Sequence, residues 1–184
     1  MNEKKYANTD ARIKAFKKFM GAVYQEAQCE NLASQLDDIG FFDAPASTKY
    51  HGSFAGGLYV HSEAVAMSLV ELTEKLGLCW ERKQSPYLVG MLHDLCKCDQ
   101  YRKNYDGSWS FIPNLALTGH GDKSVIMALK IMDLTEEEIL CIRWHMGGYD
   151  DSKNWNNCGA AIERYPNVLY THTADMIASR ILGK

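Results

Sequence analysis

Histidines at 51, 61, 93, 120, 145 and 172, with Asp94 and Asp175, are the residues whose types and spacing point to chemistry. His61 falls on the apolar stripe Leu58, His61, Val65, Leu69, Leu72, Leu76, at a position a leucine would otherwise fill. His93 and Asp94 are neighbours in a segment that is apolar nearly all round. Asp175 lies on the stripe Val168, His172, Asp175, Ser179, Leu182. A carboxylate facing a core is costly unless it is paired or bound to a cation. Any one of these histidines alone is most simply a hydrogen-bonded core or surface residue. Asp94 alone would be a helix cap or half of a buried salt bridge. Packing explains the joint pattern poorly.

Divalent cations explain it better, because imidazole and carboxylate are ligands for Zn, Fe, Mn, Co and Ni, and carboxylate for Mg. Side chains at 93 and 94 diverge by ~100° on a helix and can still reach one ion lying between them. The second oxygen of Asp94 is then available to a neighbouring ion, with His120 and His145 as its nitrogen ligands. A bridging carboxylate of this kind holds two metals ~3.5–4 Å apart, as in hydrolytic two-metal sites. Lys97, one turn further on, can reach a substrate phosphate or serve the helix C-terminus. His51 is placed in a loop, where it can bind phosphate, act as general acid for the leaving oxygen, or simply be a surface histidine. His172 is a support residue or core. Asp122 reads as a helix cap, and Arg143 as a phosphate contact or a salt bridge. Tyr101, Tyr105, Trp109 and Trp155 are loop aromatics that can stack on a base or anchor their loops.

These residues need helices to position them. Periodicity predicts a first helix over about 10–29 and mostly irregular chain over 30–57. A long helix follows over about 58–76, stopped by Gly77, and another starts at Ser85-Pro86 and carries His93 and Asp94. Residues 99–113 read as a small hairpin or ordered loop turning at Asp106-Gly107. Further helices are predicted over about 121–132, from the Thr135/Glu138 capping-box pattern to about 145, over 158–164, and over 167–182. Residues 149–157 are left as a polar loop. The expected fold class is all-α, a helical bundle with at most a small hairpin insertion, in a single domain over 1–184.

Composition narrows the function. The 184 residues are 46% hydrophobic and 23% charged, an ordinary globular balance with no repeat and no low-complexity tract. A net charge of −3 argues against a general grip on long nucleic acid. No apolar run approaches a membrane span, and the first residues lack the apolar core of a secretory signal. The six scattered cysteines read as reduced thiols, and Cys96 and Cys98 as packing residues rather than half of a zinc knot. A cytoplasmic location is expected.

The ordered set His61, His93-Asp94, His120, His145, Asp175 resembles the HD-domain superfamily of metal-dependent phosphohydrolases, over about two-thirds of the chain. The segment His51-Gly-Ser-Phe-Ala-Gly-Gly-Leu-Tyr-Val-His61 is similar to the first-histidine motif of the family. Gly90-Met-Leu-His-Asp-Leu-Cys-Lys97 is similar to its HD-x-x-K segment. Gly119-His120, Arg143-Trp-His145 and Thr173-Ala-Asp175 fit the later motifs. The spacing of the first motif is closest to the HD domains of bacterial 3′–5′ exoribonucleases. The resemblance implies about five core helices around one or two divalent ions (Mn, Fe, Co, Ni, Zn or Mg). His61, His93, Asp94 and Asp175 would hold the first ion, and Asp94, His120 and His145 the second. It also implies hydrolysis of a nucleotide or short-oligonucleotide phosphate ester by a metal-bound hydroxide, with Asp94, Lys97 and His51 as catalytic residues. Cys96 stands where relatives have glycine, and Met146 where they often have histidine. No OB domain accompanies the motifs in these residues, so a small phosphorylated substrate is expected. Two other readings use the same ligands: a di-iron oxygenase, and a non-catalytic sensor or partner-binding domain stabilised by metal.

Overall fold

A computed structural model describes residues 6–49 and 52–183. Asn8 caps α1 (Thr9–Met20) by accepting a hydrogen bond from the Ala11 amide. The chain breaks at Gly21 through a tight turn in which Val23 and Tyr24 both donate to the Met20 carbonyl. A capping box of Gln25 and Gln28 then restarts it as α2 (Glu26–Asp38). This corrects the single helix expected over 10–29 and the irregular chain expected beyond it. The buried residues Cys29, Leu32, Ala33 and Leu36 follow helical spacing, but the Gln, Asn, Ser and Asp among them mask the signal.

The central element is α3 (Gly57–Leu76), ended by Gly77. Its first half is buried on nearly every side, and it packs against α4 (Ser85–Leu92) and α8 (Asn167–Met176). Phe16 of α1, Phe41, Phe42 and Tyr59 of α3 form an aromatic cluster with ring centroids 5.2–6.2 Å apart. Such burial contributes roughly 1.5–3 kcal/mol per ring and fixes α1 to the core. Strand β1 (Tyr101–Lys103) pairs antiparallel with β2 (Trp109–Phe111), Tyr101 opposite Phe111. Asp106 holds the turn by accepting from the Ser108 amide. The remaining helices are α5 (His120–Leu129), α6 (Glu136–Arg143) and α7 (Trp155–Arg164). Trp155 opens α7, where the sequence predicted loop. The last helix leaves α8 as a π turn over Ile177–Ile181. The fold is all-α with a small hairpin, and among the described residues no helix is long and apolar enough to cross a membrane.

Two buried carboxylates at the start of α6 set the direction of three helices. Glu138 closes the Thr135 capping box and takes a two-pronged bond from Arg82 (2.8 and 2.6 Å) and another from Ser85 Oγ at the start of α4 (2.8 Å). Glu137 accepts from Asn167 Nδ2 at the start of α8 and from the Glu81 amide. The N-terminal ends of α4, α6 and α8 are therefore tied together, and their C-terminal ends run on to His93, His145 and Asp175. Glu138→Ala strands the Arg82 guanidinium and the Ser85 hydroxyl. It is expected to cost about 3 kcal/mol or more, read as a lowered midpoint in urea with an unchanged slope.

Candidate metal centre

His93 and His145 are built alike. Each follows the last turn of a short helix, where backbone carbonyls lack helical partners. His93 Nδ1 donates to Gly90 O at 2.8 Å, and His145 Nδ1 donates to Ile142 O at 2.7 Å. Donation through Nδ1 fixes the tautomer and leaves the Nε2 lone pair pointing inward, as in metal-ligating histidines. The sequence predicted His93 and Asp94 in mid-helix. Instead α4 ends at Leu92, and the backbone turns at Asp94 (φ −113°, ψ 22°) into a 3-10 turn, Leu95–Cys98. That turn lets the two side chains converge. His120 comes from the first residue of α5, His61 from α3, and Asp175 from the last turn of α8.

Close backbone approach makes this possible. A Cβ on Gly90 would lie 2.3 Å from Ala66 Cα, so only glycine lets α4 sit this near α3. A Cβ on Gly121 would lie 1.9 Å from Arg143 O, so glycine also lets α5 begin against the end of α6. These two contacts set His93 beside His61, and His120 beside His145.

The donor atoms form two sets around the two oxygens of Asp94. Oδ2 lies 3.6 Å from His61 Nε2 and 3.4 Å from His93 Nε2. His61 Nε2 is 3.2 Å from both His93 Nε2 and Asp175 Oδ1. Oδ1 lies 3.5 Å from His145 Nε2 and 3.6 Å from His120 Nδ1. Within each of three trios (His61, His93, Asp94; His93, His145, Asp175; Asp94, His120, His145) the donors lie within 4.8 Å of one another. Ligands ~2.1 Å from a cation stand ~3.0–3.4 Å apart along octahedral or tetrahedral edges, close to the spacings here. Asp94 Oδ1 and His145 Nε2 are buried without a hydrogen-bond partner, a costly state that a cation between them removes. The ends of α4 and α6 add their negative dipole ends to the same point. These residues can hold a metal ion, and the donor set suits a divalent cation.

Lys97 Nζ sits 2.5 Å from Asp94 Oδ2 and neutralises it. Burial pushes the Asp94 carboxyl up, but the Lys97 ammonium and His93 outweigh this and hold it well below the usual range. Asp175 is likewise held low against burial by the His61 hydrogen bond. His120 is pushed up to about 10, first by the Asp94 carboxylate, whose Oδ1 lies 3.6 Å from its Nδ1, and then by Cys96, whose Sγ lies 3.2 Å from Nδ1. A metal taking His120 must therefore displace a proton. Affinity is expected to rise with pH between about 7 and 9, with proton release detectable in weakly buffered titrations. The stability of the metal-free protein is expected to follow the opposite trend through this group. A folded pKa above the unfolded one contributes stability that is full below about 6.5 and is lost as pH rises through about 10.

The centre opens onto a cleft of about 250 Å³, lined by Lys97, Tyr101, Tyr149, Ser179 and Arg180 among others. The structure thus brings together His61, His93, Asp94, His120, His145, Asp175 and Lys97. His51 lies outside the described residues. His172 Nδ1 donates to His145 O and so steadies that segment. Arg143 is bound to Asp122 and, at 2.7 Å, to Asp150, so a salt-bridge role accounts for it, and Asp122 makes no cap bond. Tyr105 is fully exposed at the hairpin tip, and Trp155 lines a separate apolar pocket with Trp144. Tyr149 and Arg180 were not singled out by sequence. Comparison of the chain with protein-family models, with curated proteins and with solved structures finds no match.

Proposed function

We propose that this chain is a metal-dependent phosphohydrolase of HD-domain type that cleaves a phosphate ester of a nucleotide or short oligonucleotide. The observation that carries the reading is Asp94, each of whose oxygens is faced by its own imidazoles at the foot of an open cleft. His61, His93, Asp94 and Asp175 would hold one cation, and Asp94, His120 and His145 a second. A divalent cation held there supplies a water acidified toward neutral pH and positive charge for the phosphoryl oxygens. The chain's own residues do the rest. Asp94 orients both ligand sets, the Gly90 and Ile142 carbonyls keep the His93 and His145 tautomers, and Lys97 faces the cleft with an ammonium that can pass from Asp94 to a substrate phosphate.

The cleft lies just below the ~300–1,000 Å³ usual for small-molecule sites, which favours a nucleotide-sized ligand over duplex nucleic acid. The net charge of −3 agrees. The same reading takes the protein as cytoplasmic, a setting that suits six free thiols. The test is hydrolysis of mono- and diester substrates by metal-stripped protein after addition of Mn, Co, Ni, Zn or Mg. Metal-dependent release of phosphate or nucleotide is expected. Inert protein at full metal occupancy would overturn the reading, and oxygen uptake with an iron-loaded form would replace it with oxygenase chemistry.

A further inference from the structure

Arg180 lies at the edge of the helix face that lines the cleft, about 40° from Met176 by α-helical periodicity. Residues five apart on an α-helix point about 140° apart, so a regular helix would set Arg180 well round from Asp175. The last helix instead widens into the π turn, with the Leu182 amide bonded to Ile177 O at 2.9 Å, five residues back. A wider turn brings residues five apart toward one side, and π turns recur at functional sites. Asp175 and Arg180 accordingly line the same cleft. Lys97, which also lines it, is buried and committed to Asp94, whereas Arg180 is exposed and has no carboxylate within salt-bridge distance among the described residues. Its guanidinium carbon lies 5.9 Å from the ring of Tyr149, which is itself exposed on the cleft wall.

We infer that Arg180 and Tyr149 form a subsite for a second phosphate and the base of the substrate, next to the phosphate that is cleaved. The inference rests on the hydrolase reading above for which phosphate is cleaved. The buried donors and Lys97 serve that phosphate. Arg180, at the exposed rim, meets another, through the two-pronged contact that guanidinium makes with phosphate oxygens. Tyr149 offers its ring to a base. The substrate class is a nucleotide carrying at least two phosphates, such as a 5′-phosphorylated dinucleotide.

Calorimetric titration with the phosphonate analogues of adenosine 3′,5′-bisphosphate and of adenosine 5′-monophosphate, whose P–C bonds hydrolysis does not break, in excess Mn, tests this without turnover. Wild-type protein is expected to prefer the bisphosphate analogue by tenfold or more. Arg180→Ala should weaken the bisphosphate analogue about tenfold and the monophosphate analogue less than threefold, so that the preference collapses, and Arg180→Lys should keep part of it. Tyr149→Ala should weaken both ligands alike, and Tyr149→Phe neither. A general structural loss lowers both affinities without changing their ratio. Equal binding of the two analogues by wild type, binding of neither, or a preference that survives Arg180→Ala overturns the subsite. Metal-dependent hydrolysis of bis(p-nitrophenyl) phosphate or p-nitrophenyl phosphate by wild type separately decides the hydrolase reading, and hydrolysis of neither overturns it.

Discussion

Asp94→Asn is expected to leave the protein folded but unable to retain metal, with phosphohydrolase activity at background. Asparagine keeps the size of the side chain but loses the charge and one of the two oxygen donors around which both imidazole sets are arranged. Loss of an outer partner of a metal ligand typically costs 10–100-fold in affinity. Removing the shared ligand should cost well beyond that. Asp94→Ala is a harsher change, because it also strands the buried ammonium of Lys97 and so adds about 3–5 kcal/mol of destabilisation. The double variant Asp94→Ala/Lys97→Met should recover much of that stability while remaining metal-free, which separates folding from ligation. Elemental analysis of dialysed protein beside a thermal melt reads both effects. Full metal retention by Asp94→Asn would contradict the assignment.

Gly90→Val should produce a large stability loss at a position outside the ligands. The new side chain meets the backbone of Ala66, with its first carbon 2.3 Å from Cα and 2.5 Å from N, so no rotamer relieves it. Overpacking usually costs 1–3 kcal/mol, and a clash between two helix backbones belongs at or above the top of that range. That is a large share of a total stability of ~5–15 kcal/mol. Because His61 rides on α3 and His93 on the end of α4, forcing the helices apart should weaken metal binding as well. Gly148→Ala, where a Cβ meets nothing within 4 Å, is the control and should stay within about 0.5 kcal/mol. Urea denaturation of the metal-free forms gives the stability term, and metal titration gives the other.

Much of this arrangement was legible in the sequence. The all-α class, α3 with its Gly77 stop, the Pro86 start of α4, the hairpin at Asp106-Gly107 and the Thr135 capping box all follow local rules that tertiary contacts did not override. The inward histidines and aspartates stood out because packing could not explain them, and the structure draws them into one cluster. What the sequence hid were non-local or non-periodic features. The stripe of α2 lay among polar residues. The early end of α4 depends on the turn at Asp94, which a run of apolar residues does not announce. Glu137 and Glu138 look like an exposed acidic first turn until Arg82, Ser85 and Asn167 arrive from distant segments. Arg180 was passed over because it lies off the stripe that carries Asp175 and Ser179, and the π turn swings it closer to that face.

The most direct measurement is the anomalous-difference map of a crystal of this protein grown or soaked with Mn. Density is expected between Asp94 Oδ2, His61, His93 and Asp175, with a second peak toward His120 and His145. A well-ordered map with no peak there, and with Asp94 still held by Lys97 alone, would mean that these inward groups satisfy one another without a cation and that the proposed chemistry is wrong.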